Sequence, residues 1–234
     1  MTERRIGIKG HRRSGMVTRM RYARVPNHFF TGRFPEERRY VVLHTIEPAA
    51  SGRAKCRGCG ERIVKGELRF GERLENPFGE GQMTLWFHPV CGAYKRPEPF
   101  LQALDAAELD IESVETPAAT GHTGDWLRAE AGIGLEHRRL PRLDGAGPAP
   151  TGRARCRACK QLIATNAWRI GLVYYEEGFF SPSGYIHAAC ARDYFEATEL
   201  AAAAITRRIH HFSPGLSDAD REQIEAQIDA GRKS

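Results

Sequence analysis

The sequence predicts an α+β fold built from two small, cysteine-containing modules, each a short antiparallel sheet with flanking helices, after a basic N-terminal arm. Three observations predict it: a nine-residue motif occurs twice, all six cysteines fall within repeated segments, and basic residues crowd the first 39 positions. The length of 234 residues suits two modules of about a hundred residues each. The predicted boundaries are an arm over 1–39, module one over 40–135, a linker over 136–150 and module two over 151–234.

An internal repeat with an offset of one hundred residues organises the chain, and a repeat must be recognised before a fold class is assigned. Six of the nine positions in the opening motif are identical between its copies, including both cysteines and the arginine between them. The last pair of segments is offset by ninety-nine, because the second module has one residue fewer in the preceding loop. The three pairs are SGRAKCRGC and TGRARCRAC (51–59 and 151–159), ELRFG and AWRIG (67–71 and 167–171), and WFHPVC and YIHAAC (86–91 and 185–190).

Each module carries a complete ligand set for one tetrahedral zinc ion. In module one, C-x2-C is followed by twenty-eight residues and then by H-x2-C, and in module two the spacer is twenty-seven residues. Three sulfurs and one imidazole satisfy zinc, and a two-residue spacer lets a tight turn bring both ligands of a pair to one ion. The predicted ligands are Cys56, Cys59, His88 and Cys91 in module one, and Cys156, Cys159, His187 and Cys190 in module two.

Two zinc ions per chain, both structural, are therefore the expected cofactors, and the modules are expected to be zinc-stapled. Four protein ligands close each shell, whereas catalytic zinc usually keeps a position for water. Metal binding of this kind contributes folding free energy to a small module. Internal disulfides are a poor alternative, because three cysteines per module cannot all pair. Buried free thiols with core histidines remain the other alternative, which leaves the doubled spacing unexplained.

Hydrophobic patterning predicts the elements of module one around these ligands. Residues 39–47 are β-branched and apolar enough to form an entering strand. The next strand alternates so that Arg69 lies on the face opposite Leu68 and Phe70. The predicted strands are 39–47, 66–74 and 83–91, and the predicted helices run from Cys91 toward Tyr94, over 99–109 and over 125–132, with a loop at 116–124.

Module two repeats this plan after DGAGPAP (144–150), whose Gly and Pro residues indicate a linker. The closing helix has Ser217 as N-cap, Asp220 three residues later and Gly231 as its stop. The predicted elements are strands over 167–175 and 184–190, a long helix over 188–208 and a closing helix over 217–231.

The sequence also predicts which of two tryptophans and two histidines outside the ligand set are buried and which are exposed. Trp86 and Trp168 lie on predicted strands, so we expect them to fill the core. His210 and His211 lie outside the zinc pattern, so we expect them to face solvent and assign them no role.

The positive charge is concentrated at the N-terminus. Of a formal net charge of +6, residues 1–39 hold eleven Lys or Arg against three Glu, and the remainder is slightly acidic. Such an arm suggests a polyanionic partner, although a solubilising disordered tail would look alike. No stretch approaches the roughly 20 apolar residues that span a bilayer, and the N-terminus lacks a secretory signal. We expect no membrane partner and an intracellular monomer, in the bacterial cytoplasm and nucleoid or in a eukaryotic nucleus, where cysteines more often hold metal than disulfides.

The combined pattern resembles the PARP-type zinc finger family, which occurs in poly(ADP-ribose) polymerases and in the nuclear DNA ligase of strand-break repair. The resemblance rests on GRA-x-C-x2-C, a strand containing L/W-R-F/I-G, an aromatic-x-H-x2-C and a closing GL-S-x-x-D helix. The segment NPFGEGQMTLWFHPVC is particularly similar to the ligase finger. The resemblance covers roughly 40–100 and 150–230, leaving 1–39 outside it and fitting 100–145 poorly.

This resemblance implies recognition of DNA strand breaks by shape, with named residues on the DNA. In such fingers, arginines beside the first cysteine and on the following strand bind backbone phosphate, for which a planar guanidinium is suited. Apolar residues before the histidine cap the base face that a break exposes. The implied phosphate ligands are Arg53, Arg69, Arg153 and Arg169, and the implied capping residues are Phe78, Met83, Phe179 and Phe180. Local carboxylate pairing of the arginines and core packing of the apolar residues remain open alternatives.

The expected function is a non-enzymatic sensor of nicks, gaps or ends in double-stranded DNA, acting in DNA repair beside a partner enzyme. Two alternatives remain. The modules could form a zinc-stabilised scaffold that recruits a repair enzyme. Residues 1–50 and one finger could instead form a small nuclease or other enzyme that uses His11 or His28.

Overall fold

The computed structural model describes residues 44–107, 122–196 and 199–231. The predicted basic arm and most of the predicted loop at 116–124 lie outside these residues. Within them, the chain forms two three-stranded antiparallel sheets and six α-helices, which confirms the predicted α+β class. No helix of the described part is long and apolar enough to cross a membrane.

The sheet of module one has the order β1-β2-β3, with β1 at Thr45–Pro48, β2 at Leu68–Glu75 and β3 at Gln82–Phe87. Phe70 of β2 is paired with Phe87 of β3, and both side chains are fully buried. Alternation along β2 therefore gives the module its core face, as the sequence predicts.

Module one has three helices, α1 at Pro89–Lys95, α2 at Pro97–Ala106 and α3 at Gly124–Glu136. The first two pack against the sheet, and α3 packs against both of them. The first two begin with proline, which the first helical position tolerates because its N–H has no intrahelical partner. The hydroxyl of Thr123 caps α3 by accepting a hydrogen bond from the backbone of Trp126. All three predicted helices are present: α1 and α3 are longer than expected, whereas α2 begins two residues earlier than expected and ends at Ala106.

The sheet of module two has the order β4-β5-β6, with β4 at Leu143–Pro148, β5 at Trp168–Glu176 and β6 at Phe179–His187. The prediction of a linker over 136–150 is wrong, because β4 and a short 3-10 helix occupy that segment. As an edge strand β4 tolerates Gly and Pro, and a bulge accommodates its glycines.

The C-terminal helices are α4 at Ala191–Phe195, α5 at Glu199–Phe212 and α6 at Asp218–Ala230. The predicted continuous helix over 188–208 is wrong, because Glu196 takes a left-handed conformation with φ 53° and ends α4. The closing helix is confirmed: Ser217 and Asp220 form the reciprocal hydrogen bonds of a capping box.

Aromatic residues of module two pack against the core of module one. Tyr175, Phe180 and Phe212 are half-buried against a cluster that contains Phe87 and Tyr94. The Arg96 guanidinium, which forms a bidentate pair with Glu72, lies 3.7 Å from the Tyr175 ring centroid. The two modules therefore share one continuous packed interface.

Buried charges reinforce this interface. The ammonium of Lys95, on α1, donates to the Leu143 carbonyl at 2.6 Å and lies 2.8 Å from a carboxylate oxygen of Asp144. Glu130 of α3 binds Arg208 of α5 at 2.9 Å, with Arg208 fully buried. Because buried charges are costly when unpaired, these contacts fix the orientation of one module against the other.

Candidate functional site

The four predicted ligands of module one converge at the start of α1. His88 follows β3 directly, Cys91 lies in the first turn of α1, and the bend after β1 brings in Cys56 and Cys59. Their donor atoms lie within 4.8 Å of one another. The two-residue spacers and the returning strand thus place the ligands as predicted.

Backbone conformation holds the first cysteine pair in place. The Sγ atom of Cys56 accepts hydrogen bonds from the backbone N–H groups of Gly58 and His88, both at 3.3 Å. Gly60 follows the pair with φ +82°, and Lys160 takes the same left-handed turn in module two with φ 66°. These hydrogen bonds and turns fix the position of the first cysteine pair in each module.

Module two repeats the cluster at the same positions of its fold. Sγ of Cys159 lies 3.4 Å from Nδ1 of His187, and Sγ of Cys190 lies 3.8 Å from the same nitrogen. Burial opposes ionisation of Cys156, but backbone N–H groups, first that of His187, lower its pKa to about 7. Cys159 is exposed, whereas its counterpart Cys59 is half-buried.

Both clusters fit zinc. Ligand atoms about 2.3 Å from a tetrahedral ion lie about 3.8 Å apart. Contacts between ligand atoms are 3.4 Å in module one and 3.4 Å and 3.8 Å in module two. Each is a closed zinc site with three thiolates and one imidazole. With four protein ligands, the ion serves as a staple between the cysteine turn and the segment after the last strand.

A histidine of module two reaches the zinc site of module one. Nε2 of His211, near the end of α5, lies 3.1 Å from Sγ of Cys91. Burial lowers the pKa of His211 to about 4, so its imidazole is neutral at pH 7 and can donate one hydrogen bond. The expectation that His211 faces solvent is wrong. Its neighbour His210 is half-buried, with Nε2 3.2 Å from a carboxylate oxygen of Glu225.

The two arginines beside the first cysteines are exposed in both modules. Arg53 and Arg153 occupy equivalent turns and make no ion pair among the described residues. They are thus sterically free to meet an anion, which is the condition that the predicted phosphate contact requires.

The two strand arginines differ. Arg69 is nearly buried, lies 2.6 Å from a carboxylate oxygen of Glu47 and stacks over the Trp86 ring at 3.4 Å. Arg169 stacks over Tyr185 at 3.7 Å. Both tryptophans are half-buried and pack against the edge of a core rather than inside it: Trp86 is also the platform for Arg69, and Trp168 donates through Nε1 to Gln223 at 3.1 Å.

Two of the four predicted capping residues are exposed, and they meet. Phe78 is 77% exposed and Phe179 is 43% exposed. Their ring centroids lie 6.1 Å apart at an interplanar angle of 74°, an edge-to-face contact between modules. The Arg57 guanidinium lies 5.6 Å from the Phe179 centroid. We call Phe78 and Phe179 the fingertip rings.

The other two capping candidates pack inward. Met83 is half-buried, and its methyl group approaches Gly178 so closely that a Cβ there would lie 2.6 Å away. Phe180 is half-buried with its ring 6.3 Å from that of Phe87 and 5.0 Å from that of Tyr175. The structure therefore places Phe180 in the module interface rather than at a free tip.

Sequence reasoning missed three residues that shape the site: Arg57, Lys95 and His211. An arginine follows the first cysteine of the pair in both modules, at Arg57 and Arg157. This repeated charge was a signal that Arg57 is exposed at the site. No local pattern identifies Lys95 or His211, since their partners are 49 and 120 positions away.

Comparison with known proteins agrees with this geometry. Residues 47–115 match the family described as the poly(ADP-ribose) polymerase and DNA-ligase zinc-finger region. The chain is 31% identical over 137 residues to poly(ADP-ribose) polymerase 1 of Gallus gallus, covering 54% of this chain and 13% of that protein. It is 29% identical over 136 residues to a poly(ADP-ribose) polymerase of Sarcophaga peregrina, covering 53% and 13%.

A shorter stretch of 47 residues is 47% identical to poly(ADP-ribose) polymerase 1 of Oryza sativa subsp. japonica, covering 20% of this chain and 4% of that protein. The chain thus spans 13% or less of the length of these relatives. The family match at 47–115 includes the first Cys3His centre.

Proposed function

We propose that this chain, which carries a PARP-type zinc finger at residues 47–115, is a non-enzymatic sensor of strand breaks in double-stranded DNA. The coarser part of the proposal, a DNA-binding module, is supported by the family match and by the two zinc centres. The finer part, preference for a break over intact duplex, is supported by the fingertip rings.

The contact between Phe78 and Phe179 carries the proposal. An intact duplex hides its base faces by stacking, and a break uncovers one. Aromatic rings stack on bases with about 1–3 kcal/mol per base, whatever the sequence. Two exposed rings from different modules meet at 6.1 Å, so the chain presents one apolar tip for one uncovered face.

One guanidinium lies at that tip, and two more are exposed on the cysteine turns. Arg57 lies over Phe179, and Arg53 and Arg153 are exposed on the equivalent turns of the two modules. Guanidinium groups on metal-braced turns can hold backbone phosphates on either side of the break. A broken duplex also bends at lower cost than an intact one, which favours a rigid two-module surface. The basic arm over 1–39 would add sequence-independent phosphate contacts and a steep dependence on salt.

No catalytic step belongs to this proposal. The zinc ions have four protein ligands each and therefore serve structure. Repair chemistry would belong to a partner enzyme. The chain would act as a monomer in the compartment that contains the damaged DNA.

A binding series tests the proposal. Fluorescent hairpins of one sequence, either intact, nicked, gapped or blunt-ended, would be titrated with the full chain at fixed salt. We expect at least one broken form to bind about tenfold tighter than the intact hairpin, in proportion to one stacked base. Equal affinity for all forms would reject the sensor and favour the scaffold. Hairpin cleavage in magnesium that is lost on deletion of 1–38 would instead support an enzyme.

A further inference from the structure

The position opposite the strand arginine differs between the modules. In module one, Glu47 of β1 is paired across the sheet with Arg69, and their side chains form an ion pair at 2.6 Å. In module two, Gly147 of β4 takes the same place opposite Arg169. The guanidinium of Arg69 is therefore neutralised inside the protein, whereas the residue paired with Arg169 in β4 carries no carboxylate.

Arg169 lies in a cleft of about 390 Å³, whose lining includes Gly145, Gly147, Ser213 and Leu216. The ring of Tyr185 supports the guanidinium from one side at 3.7 Å, and Arg169 makes no ion pair within the described residues.

One acidic residue, Asp144, also lines this cleft. Its carboxylate lies 2.8 Å from the buried ammonium of Lys95, which compensates its charge. The charge of Arg169 is therefore not offset by Asp144, and the electrostatic potential in the cleft is positive.

We propose that this cleft is the stronger phosphodiester-binding subsite of the chain, and that the residue at position 147 determines this. An incoming phosphate must displace Glu47 to gain the full charge of Arg69, whereas Arg169 is oriented and has no competitor. Gly147 beside it leaves open space that lets a nucleic-acid backbone approach closely. The inference rests on the proposed function, which identifies the anion as DNA phosphate.

Position 147 allows a direct test, because a Cβ built on Gly147 meets no atom within 4 Å. Gly147→Glu would supply the missing carboxylate, and Gly147→Gln is its uncharged control of equal size. For binding to the nicked hairpin, we expect a loss of about tenfold for Gly147→Glu, as for Arg169→Ala, which corresponds to one charge-assisted hydrogen bond. For Gly147→Gln and Arg69→Ala we expect the affinity for the nicked hairpin to fall by about threefold or less.

The reciprocal change should act in the other direction. Glu47→Gln releases Arg69 and should tighten binding, whereas Glu136→Gln, which removes an exposed charge at the end of α3, should change it less. All variants should retain two zinc ions per chain by metal analysis, which shows that they are folded.

A single-stranded oligonucleotide of the same length separates this inference from the proposed function. It offers phosphates without a duplex break. If Gly147→Glu weakens its binding while nicked and intact hairpins bind equally, the cleft stands and the sensor falls. If nicked hairpins are preferred but Arg69→Ala costs as much as Arg169→Ala, or Gly147→Gln as much as Gly147→Glu, the cleft proposal is overturned.

Discussion

Nε2 of His211 lies 3.1 Å from Sγ of Cys91, so a helix of the second module contacts a zinc ligand of the first. Groups that hydrogen-bond to metal ligands orient them and commonly change metal affinity by about 10–100-fold. The contact ties the stability of one zinc site to the docking of the other module.

His211→Ala should therefore weaken zinc at one of the two sites by about tenfold or more. Competition with a chromogenic chelator measures this. His210→Ala is the matched control, because the neighbouring imidazole pairs with Glu225 instead of a ligand. Identical zinc affinities for both variants would show that the contact does not support the metal.

Glu130→Ala should destabilise the fold by about 3–5 kcal/mol, because it leaves the fully buried guanidinium of Arg208 without its carboxylate. Denaturant unfolding with zinc present measures the change. Asp105→Ala removes the exposed partner of Arg128 and should cost less than about 1 kcal/mol. A similar loss of unfolding free energy in both variants would mean that the buried ion pair between Glu130 and Arg208 does not stabilise the contact between the modules.

Chelation should remove zinc in two steps. Module two should lose its ion first, because Cys159 is exposed and Cys190 half-buried, whereas Cys56 and Cys91 of module one are both buried. The time course of zinc release from wild type, compared with that from Cys159→Ala, assigns the fast step. Release of both ions in one step at one rate would contradict this order.

Arg53→Ala and Arg153→Ala should each weaken binding to nicked DNA about tenfold, since each removes a charged hydrogen-bond donor, and leave two zinc ions bound. Arg53→Lys and Arg153→Lys keep the charge but lose the planar pair of donors. Their affinity for nicked DNA should therefore lie between those of wild type and the alanine variants. Loss of zinc in either alanine variant would assign the arginine a structural role.

The metal sites could be predicted because zinc imposes a local rule on sequence. Two-residue spacers around Cys56, Cys59, His88 and Cys91 leave few arrangements other than a tetrahedral site, and the second copy repeats them. The strand β2 could also be predicted, because its apolar pattern places Phe70 in the core.

The arrangement of the modules could not be predicted, because it depends on partners far apart in the chain. Lys95 looks like any surface lysine until Asp144 and the Leu143 carbonyl enclose it. Gly and Pro near 145 indicate a linker, yet an edge strand with a bulge accepts them. The helix α4 ends at Glu196 in a left-handed conformation, which a non-glycine residue adopts rarely, so the sequence offers no local signal for it.

The most direct measurement is the ratio of affinities for nicked and intact hairpin, taken for wild type and for the double variant Phe78→Ala, Phe179→Ala with zinc content verified. Both rings are exposed at one tip, so the variant should keep its affinity for intact duplex. We predict that the wild-type preference of about tenfold falls toward unity in the variant. A preference that survives the loss of both rings, including a case in which both affinities fall by the same factor, would contradict the account.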